Sequence, residues 1–478
     1  MPEGINLYTF KHHEVGTMKR ALLLFAGLSL TLSGCSSTEA DDASGAPVLS
    51  FNESIPVGDP EGHPADQYLK VTPDGTVYLS WTEDAPEAEG RDAFIAAVNT
   101  EGLGEAQRIN DQPGQVQSYG GDNRTKFTFT PDGGLAALWS SFGQGGGKGA
   151  GGDMKVVYAE AGGSFQPAAT LNDDGMSVNH AFGMINTSPN GKLYATWIDG
   201  RNRNFIGMSD PISTAEARKD IKMKDLTLPE SVLSRPARPM KMYEYDNSQL
   251  MMASSEDGGM TWSKNYPVTG MRVCSCCVPN IAFLDGGETV IISYRFVTDE
   301  YLRDQVVVRS TDGGQTFSEP TYISEDGWIA TFCPHAAASM TNDNRERLHA
   351  AWFTGGRTPE EAGIYYTYSD DAGRSFAPRR LMARTPAHTV LHAEVRVDKN
   401  DRVWVAWENI VEDKPQIFLA HLDQDQGEWS ESYQVSDGTH NSILPMLAAD
   451  GENVYVAWTD KKGEDSQVML RSASLVGN

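Results

Sequence analysis

Three features of the sequence predict an all-β fold, a seven-bladed β-propeller. A glycine turn followed by an alternating apolar strand ending in an aromatic residue recurs along the chain. The aromatic markers are Trp81, Trp139, Trp197, Tyr294, Trp352, Trp407 and Trp458, and a step of 58 residues occurs three times (81 to 139, 139 to 197, 294 to 352). Period-two alternation runs throughout, and no segment carries a sustained helical stripe.

The hairpins open at Asp74-Gly75, Asp132-Gly133, Asn190-Gly191 and Gly286-Gly287, where glycine admits the positive φ of a tight turn. Each unit has one strand before its hairpin strand and two after it. The fifth is predicted as Ala336–Met340, Leu348–Trp352, Ile364–Ser369 and Arg380–Met382. Four strands per unit define a propeller blade. The seventh unit runs out after three strands, near Ser472. The stretch Pro47–Phe51 is predicted as its outer strand, closing the ring without a free sheet edge.

Turns between third and fourth strands repeat a second pattern: Ser255, Asp257, Gly259, Thr261 and Trp262; Ser310, Asp312, Gly314, Thr316 and Phe317; Ser369, Asp371, Gly373, Ser375 and Phe376. These resemble Asp-boxes, the repeats of sialidase-like propellers. The resemblance implies a propeller over essentially the whole mature chain, with the six blades of those enzymes as the alternative count. It also implies a glycoside hydrolase using an arginine triad, a Tyr–Glu nucleophile and an Asp acid. Arg124, Arg295 and Arg396 are available for the triad and Glu394 for the nucleophile pair. The chain departs from that pattern by lacking an Arg-Ile-Pro motif in its first blade. The nearest string, Arg108-Ile109-Asn110, falls on an outer strand.

The chain begins with an address. Met18-Lys19-Arg20 precedes an apolar run that stops at Leu32-Ser33-Gly34-Cys35, which resembles a bacterial lipobox. The run is too short to span a membrane. Residues 1–35 are therefore expected to be a lipoprotein signal with its true start at Met18. Cleavage would precede Cys35, whose lipidation holds the protein to the cell envelope. Ser36 fits delivery to an outer membrane, with the protein facing the periplasm or the exterior. Residues 36–45 read as a polar tether, and 46–478 as the propeller, with an insertion at about 201–247. Acidic residues outnumber basic ones 65 to 39, which argues against a nucleic-acid partner.

Three of the five cysteines fall in Cys274-Ser275-Cys276-Cys277, and a fourth lies in Cys333-Pro334-His335. Propeller geometry places the residues just before each innermost strand beside the axis on one face. Those windows hold His63; Asp122 and Asn123; His180; Cys276 and Cys277, with Cys274 just outside; Cys333 and His335; His388 and His392; and His440. Thiolate with imidazole suits copper, with zinc as the alternative. In an oxidising compartment the same cysteines could instead form disulfides, a vicinal Cys276–Cys277 bridge or a Cys274–Cys333 staple. The Gly143–Gly152 loop and the insertion, with nine Lys or Arg, are expected on the same face, where basic charge would guide a small anionic ligand. Three functions remain open: a copper-binding metalloprotein or metalloenzyme, receiving its ion from a metal donor; a sialidase-like glycoside hydrolase; and a non-catalytic propeller that binds protein or glycan.

Overall fold

A computed structural model describes residues 48–99, 102–118, 121, 123–142, 152–201, 248–270, 272–298, 302–330, 334–386, 389–425, 427–463 and 465–476. The signal, the lipidation residue Cys35, the tether, the glycine-rich loop up to 151 and the insertion at 202–247 lie outside these residues, as do Asp122, Cys333 and His388.

Seven antiparallel sheets follow one another in chain order. Blade one is built on Ala65–Val71, Val77–Asp84 and Arg91–Asn99, and blade two on Lys126–Phe129, Leu135–Ser140 and Met154–Ala159. Blades three to six open with His180–Thr187, Asn280–Leu284, Ser339–Asn342 and Ala393–Val397. Blade seven comprises Asn441–Ala449, Asn453–Lys462 and Asp465–Val476, with Val48–Phe51 and Ile55–Val57 paired along its outer edge. The first strand therefore completes the last sheet, from Val48 opposite Val476 to Phe51 opposite Ala473.

Alternation explains the packing. Each sheet turns one set of apolar side chains to each neighbour, so the core is a series of layers between blades. One layer joins blades seven, one and two, around Leu79, Phe127 and Val468. Further layers join two to three, three to four, four to five, five to six and six to seven. Trp139, Trp197, Trp352, Trp407 and Trp458 are buried in these layers.

The innermost strand of blade five runs Ser339–Asn342 rather than Ala336–Met340. His335 adopts a φ of 51°, and the Ala336 carbonyl accepts from the side chains of Arg295 and Gln305. That carbonyl is spent on side chains, so the ladder starts later.

Blades one, three and seven carry a bulge at the start of their innermost strands, between Ala65 and Tyr68, Ala181 and Met184, and Ile443 and Met446. Asp66, Phe182 and Leu444 take positive φ there, at 57°, 56° and 61°. A bulge re-aims the next side chain, and Tyr68, Met184 and Met446 all line the axial cavity.

Candidate metal centre and axial cavity

The thiols lie in the loop leading from blade three into blade four. Val273 bridges to Phe296, and the Cys274 amide donates to the Arg295 carbonyl at 2.9 Å, pinning the loop to the end of a blade-four strand. The turn that follows brings the sulfurs of Cys274, Cys276 and Cys277 within 4.8 Å of one another, all three buried. Cys274 Sγ and Cys276 Sγ are 3.6 Å apart, far beyond the ~2.05 Å of a disulfide. Three sulfurs bound at about 2.3 Å to one metal would themselves lie roughly 4 Å apart, so the spacing fits a shared ion.

Charge favours thiolate. Hydrogen bonds from Cys276 and then Cys277 hold Cys274 well below the usual thiol range, against the opposing effect of burial, and the Arg303 and Arg295 guanidiniums add to this. Arg303 donates to Cys274 Sγ at 2.9 Å. Cys277 is pushed up, first by burial and then by its hydrogen bond to Cys274. These directions favour a thiolate at Cys274 over one at Cys277, and a soft cation binds the thiolate form.

The predicted ring of histidines divides into separate contacts. His180 Nδ1 faces the Gly152 carbonyl at 2.8 Å, and its Nε2 faces Asp174 at 3.1 Å and Asp199 at 3.8 Å. These three donors could hold an ion by distance alone. Arg201 and the Trp197 indole already bond Asp199, so this carboxylate is engaged within the protein. His392 Nδ1 meets Glu408 at 2.9 Å, and its Nε2 meets the His335 carbonyl at 2.9 Å. His63 is half-exposed and bonds Asp84 at 2.8 Å. His335 lies against Phe182, ring centres 5.9 Å apart. His440 is half-buried, its carbonyl accepting from Gln416 at 2.6 Å. The metal-ligand clusters among the described residues thus each come from one blade region. The windows do mark the starts of the innermost strands, but a start position does not fix where a ring nitrogen points. Asn123 is structural, accepting from Ser140 and the Phe182 amide.

The candidate catalytic residues also separate. Arg124 and Glu394 line one axial cavity together with Tyr68, Lys126 and Arg396. Glu394 pairs with Arg396. Tyr68 is raised by burial, with Arg396 opposing and Glu394 adding. Arg295 is elsewhere. It is fully buried between blades four and five, donating to the carbonyls of Arg303, Ala336 and Phe353 and standing 5.1 Å over Trp328. It bridges blades and is not available to a substrate on the axis. Sequence reasoning missed Tyr68 and Lys126 in the cavity and Arg303 at the sulfurs. The alternating polar pairs Tyr68 and Lys70, Arg124 and Lys126, Glu394 and Arg396, on or just before innermost strands, were the available signal.

No family model and no curated protein sequence matches the chain. Among solved structures, the polysaccharide lyase Uly1 superposes with a TM-score of 0.51 at 11% identity, covering 86% of this chain and 90% of the lyase. A Dyadobacter fermentans protein of unknown function gives 0.48 at 12%, covering 90% and 99%. A leech intramolecular trans-sialidase gives 0.45 at 10%, covering 84% and 83%. The likeness to the lyase is one of fold. By fold the chain is a seven-bladed β-propeller.

Proposed function

We propose that the chain is an extracytoplasmic metalloprotein whose Cys274, Cys276 and Cys277 hold one soft cation. Copper as Cu(I) comes first, because three sulfurs satisfy its preference for few soft donors; zinc, which takes four ligands in structural sites, comes second. The observation that carries this reading is three buried sulfurs within 4.8 Å of one another beside the Arg303 guanidinium. Cys35 would anchor the protein to the envelope, where a metal donor could load it. Full-length protein loaded with Cu(I) or Zn(II) under reducing conditions should retain about one ion per chain after desalting. It should also protect its thiols from a disulfide reagent until a chelator is added. Cys276→Ser should lose most of the bound ion while keeping the fold by circular dichroism. Reactive thiols with no retained ion, or an oxidised cluster in freshly isolated protein, would overturn the assignment.

A second reading rests on a different observation: Tyr68, Glu394, Arg124 and Arg396 share one axial cavity. A phenol, a carboxylate and two guanidiniums are part of what a sialidase-like hydrolase needs, which also takes a third arginine and an Asp acid. Sugar release from a panel of sialosides, abolished in Glu394→Gln, would establish it, and no release from any member would dismiss it.

A further inference from the structure

Lys70 serves neither reading, and its surroundings point to a ligand. It lies on the innermost strand of blade one, two residues beyond Tyr68. Its amine donates to Asn186 Oδ1 of blade three at 2.5 Å and to Thr128 Oγ1 of blade two at 3.0 Å. Both acceptors are themselves fixed. Asn186 Nδ2 donates to the Ile281 carbonyl at 3.0 Å, and Thr128 Oγ1 accepts from the Thr187 amide at 3.1 Å. The ammonium of this half-buried side chain is therefore held in place towards the axis.

Across a cavity of about 210 Å³, Lys70 faces Arg396 of blade six, with Asn280 and Asn342 between them on the wall. Glu394 belongs to the adjoining cavity and is already paired with Arg396. No carboxylate among the described residues pairs with Lys70. The chain has 65 acidic residues and a net charge of −26, yet places two cations around one cavity with a single carboxylate beside them. Burying an ammonium without a counter-charge is costly. Its amine is accordingly lowered to about 7, by burial first and Arg396 second. Such an arrangement is relieved when a ligand supplies the missing negative charge.

We propose that the axial cavity between Lys70 and Arg396 is a binding site for a small oxyanion. The site is independent of the thiol centre, and the sulfurs play no part in it.

The groups that could confuse a pH titration are few. Tyr68 lies on the same strand, Arg396 and Glu394 come from blade six, and Lys126 of blade two lines the adjoining cavity. Blades three, four and five present Asn186, Asn280, Thr341 and Asn342, and blade seven presents Leu447, Ala448 and Ala449. Tyr68 is raised, away from neutrality. Binding of an anion that does not itself titrate therefore reports Lys70, and should weaken as pH rises from 6 to 9.

Isothermal titration of the full-length protein with sulfate, inorganic phosphate and acetate in separate arms tests this. At least one anion should saturate at one site per chain, and the three arms show whether the site prefers a tetrahedral ion or a carboxylate. Lys70→Gln should weaken that anion at least tenfold, Lys70→Arg should keep most of the affinity, and sulfate should bind at least fivefold more weakly at pH 9 than at pH 6. Metal content should not change in either variant, which separates this result from failure of the thiol assignment. Arg124→Ala should leave sulfate binding in place, which separates it from the hydrolase reading. Absence of saturable binding in all three arms, or equal binding by Lys70→Gln with native circular dichroism, would overturn the proposal.

Discussion

At the scale of single residues, burial decides behaviour more than identity does. His421 sits beside Trp404, ring centres 4.9 Å apart, and is lowered to about 4, by burial first and by Arg402 second. The folded state thus binds this proton less readily than the unfolded chain, whose imidazole titrates near 6.5. Its contribution to stability is complete above about pH 6.5 and is lost as pH falls towards 4. His421→Phe should flatten that part of the stability curve, measured as urea midpoints between pH 4 and 7. A wild-type slope in the variant would assign the acid sensitivity to other groups. The same scale shows what was legible in the site. Clustering of Cys274, Cys276 and Cys277 followed from their adjacency in the chain. The bonds of His180, His63 and His392 to acids did not, because they depend on side-chain direction at one position. Asp199 two residues after Trp197 and Asp84 three after Trp81 give the local rule only in hindsight.

At the scale of elements, small side-chain motifs close the turns that alternation alone leaves open. In each Asp-box the serine hydroxyl caps the glycine amide, and the aspartate accepts from the backbone and hydroxyl two positions past that glycine: Ser369, Asp371, Gly373 and Ser375 show it at 2.9, 2.9 and 2.6 Å. Asp371→Ala should cost about 1–2 kcal/mol, the range for losing charge-assisted hydrogen bonds on a partly exposed turn, read as a shift in urea midpoint. No loss of stability would show that water replaces the carboxylate. A second device fixes the buried indoles. Trp81, Trp197 and Trp458 donate to the acid two residues on, Glu83, Asp199 and Asp460, while Trp352 uses Asp326 from an earlier loop. Trp139 and Trp407 have Ser141 and Asn409 at that position, and their indole nitrogens lack a partner. Hairpin strands were readable because turn glycine, alternation and terminal aromatic coincide. The innermost strand of blade five was misplaced by three residues because the Ala336 carbonyl goes to Arg295 and Gln305, contacts no local pattern announces.

At the scale of the whole molecule, seven blades and closure by the N-terminal strand followed from the period and from a last unit one strand short. What repetition could not supply was the axis, where side chains from several blades meet and bulges at Asp66, Phe182 and Leu444 redirect them. Closure carries its own prediction. Leu49 and Val57 are buried in the layers of blades six, seven and one, and fully burying two such side chains is worth about 3–6 kcal/mol. Deleting residues 48–57 should lower stability by at least that much and expose the edge of Asp465–Val476. The shortened protein should associate with concentration in sedimentation experiments. A monomeric variant of unchanged midpoint would show that the ring does not need its clasp.

Pairing Val48 with Val476 also sets a schedule for biosynthesis. At roughly 5–20 residues per second, the intervening chain takes on the order of 20–90 s to be made. Throughout that interval Val48–Phe51 has no partner strand. Ring closure therefore waits for the last sheet, in whatever order the blades between them form.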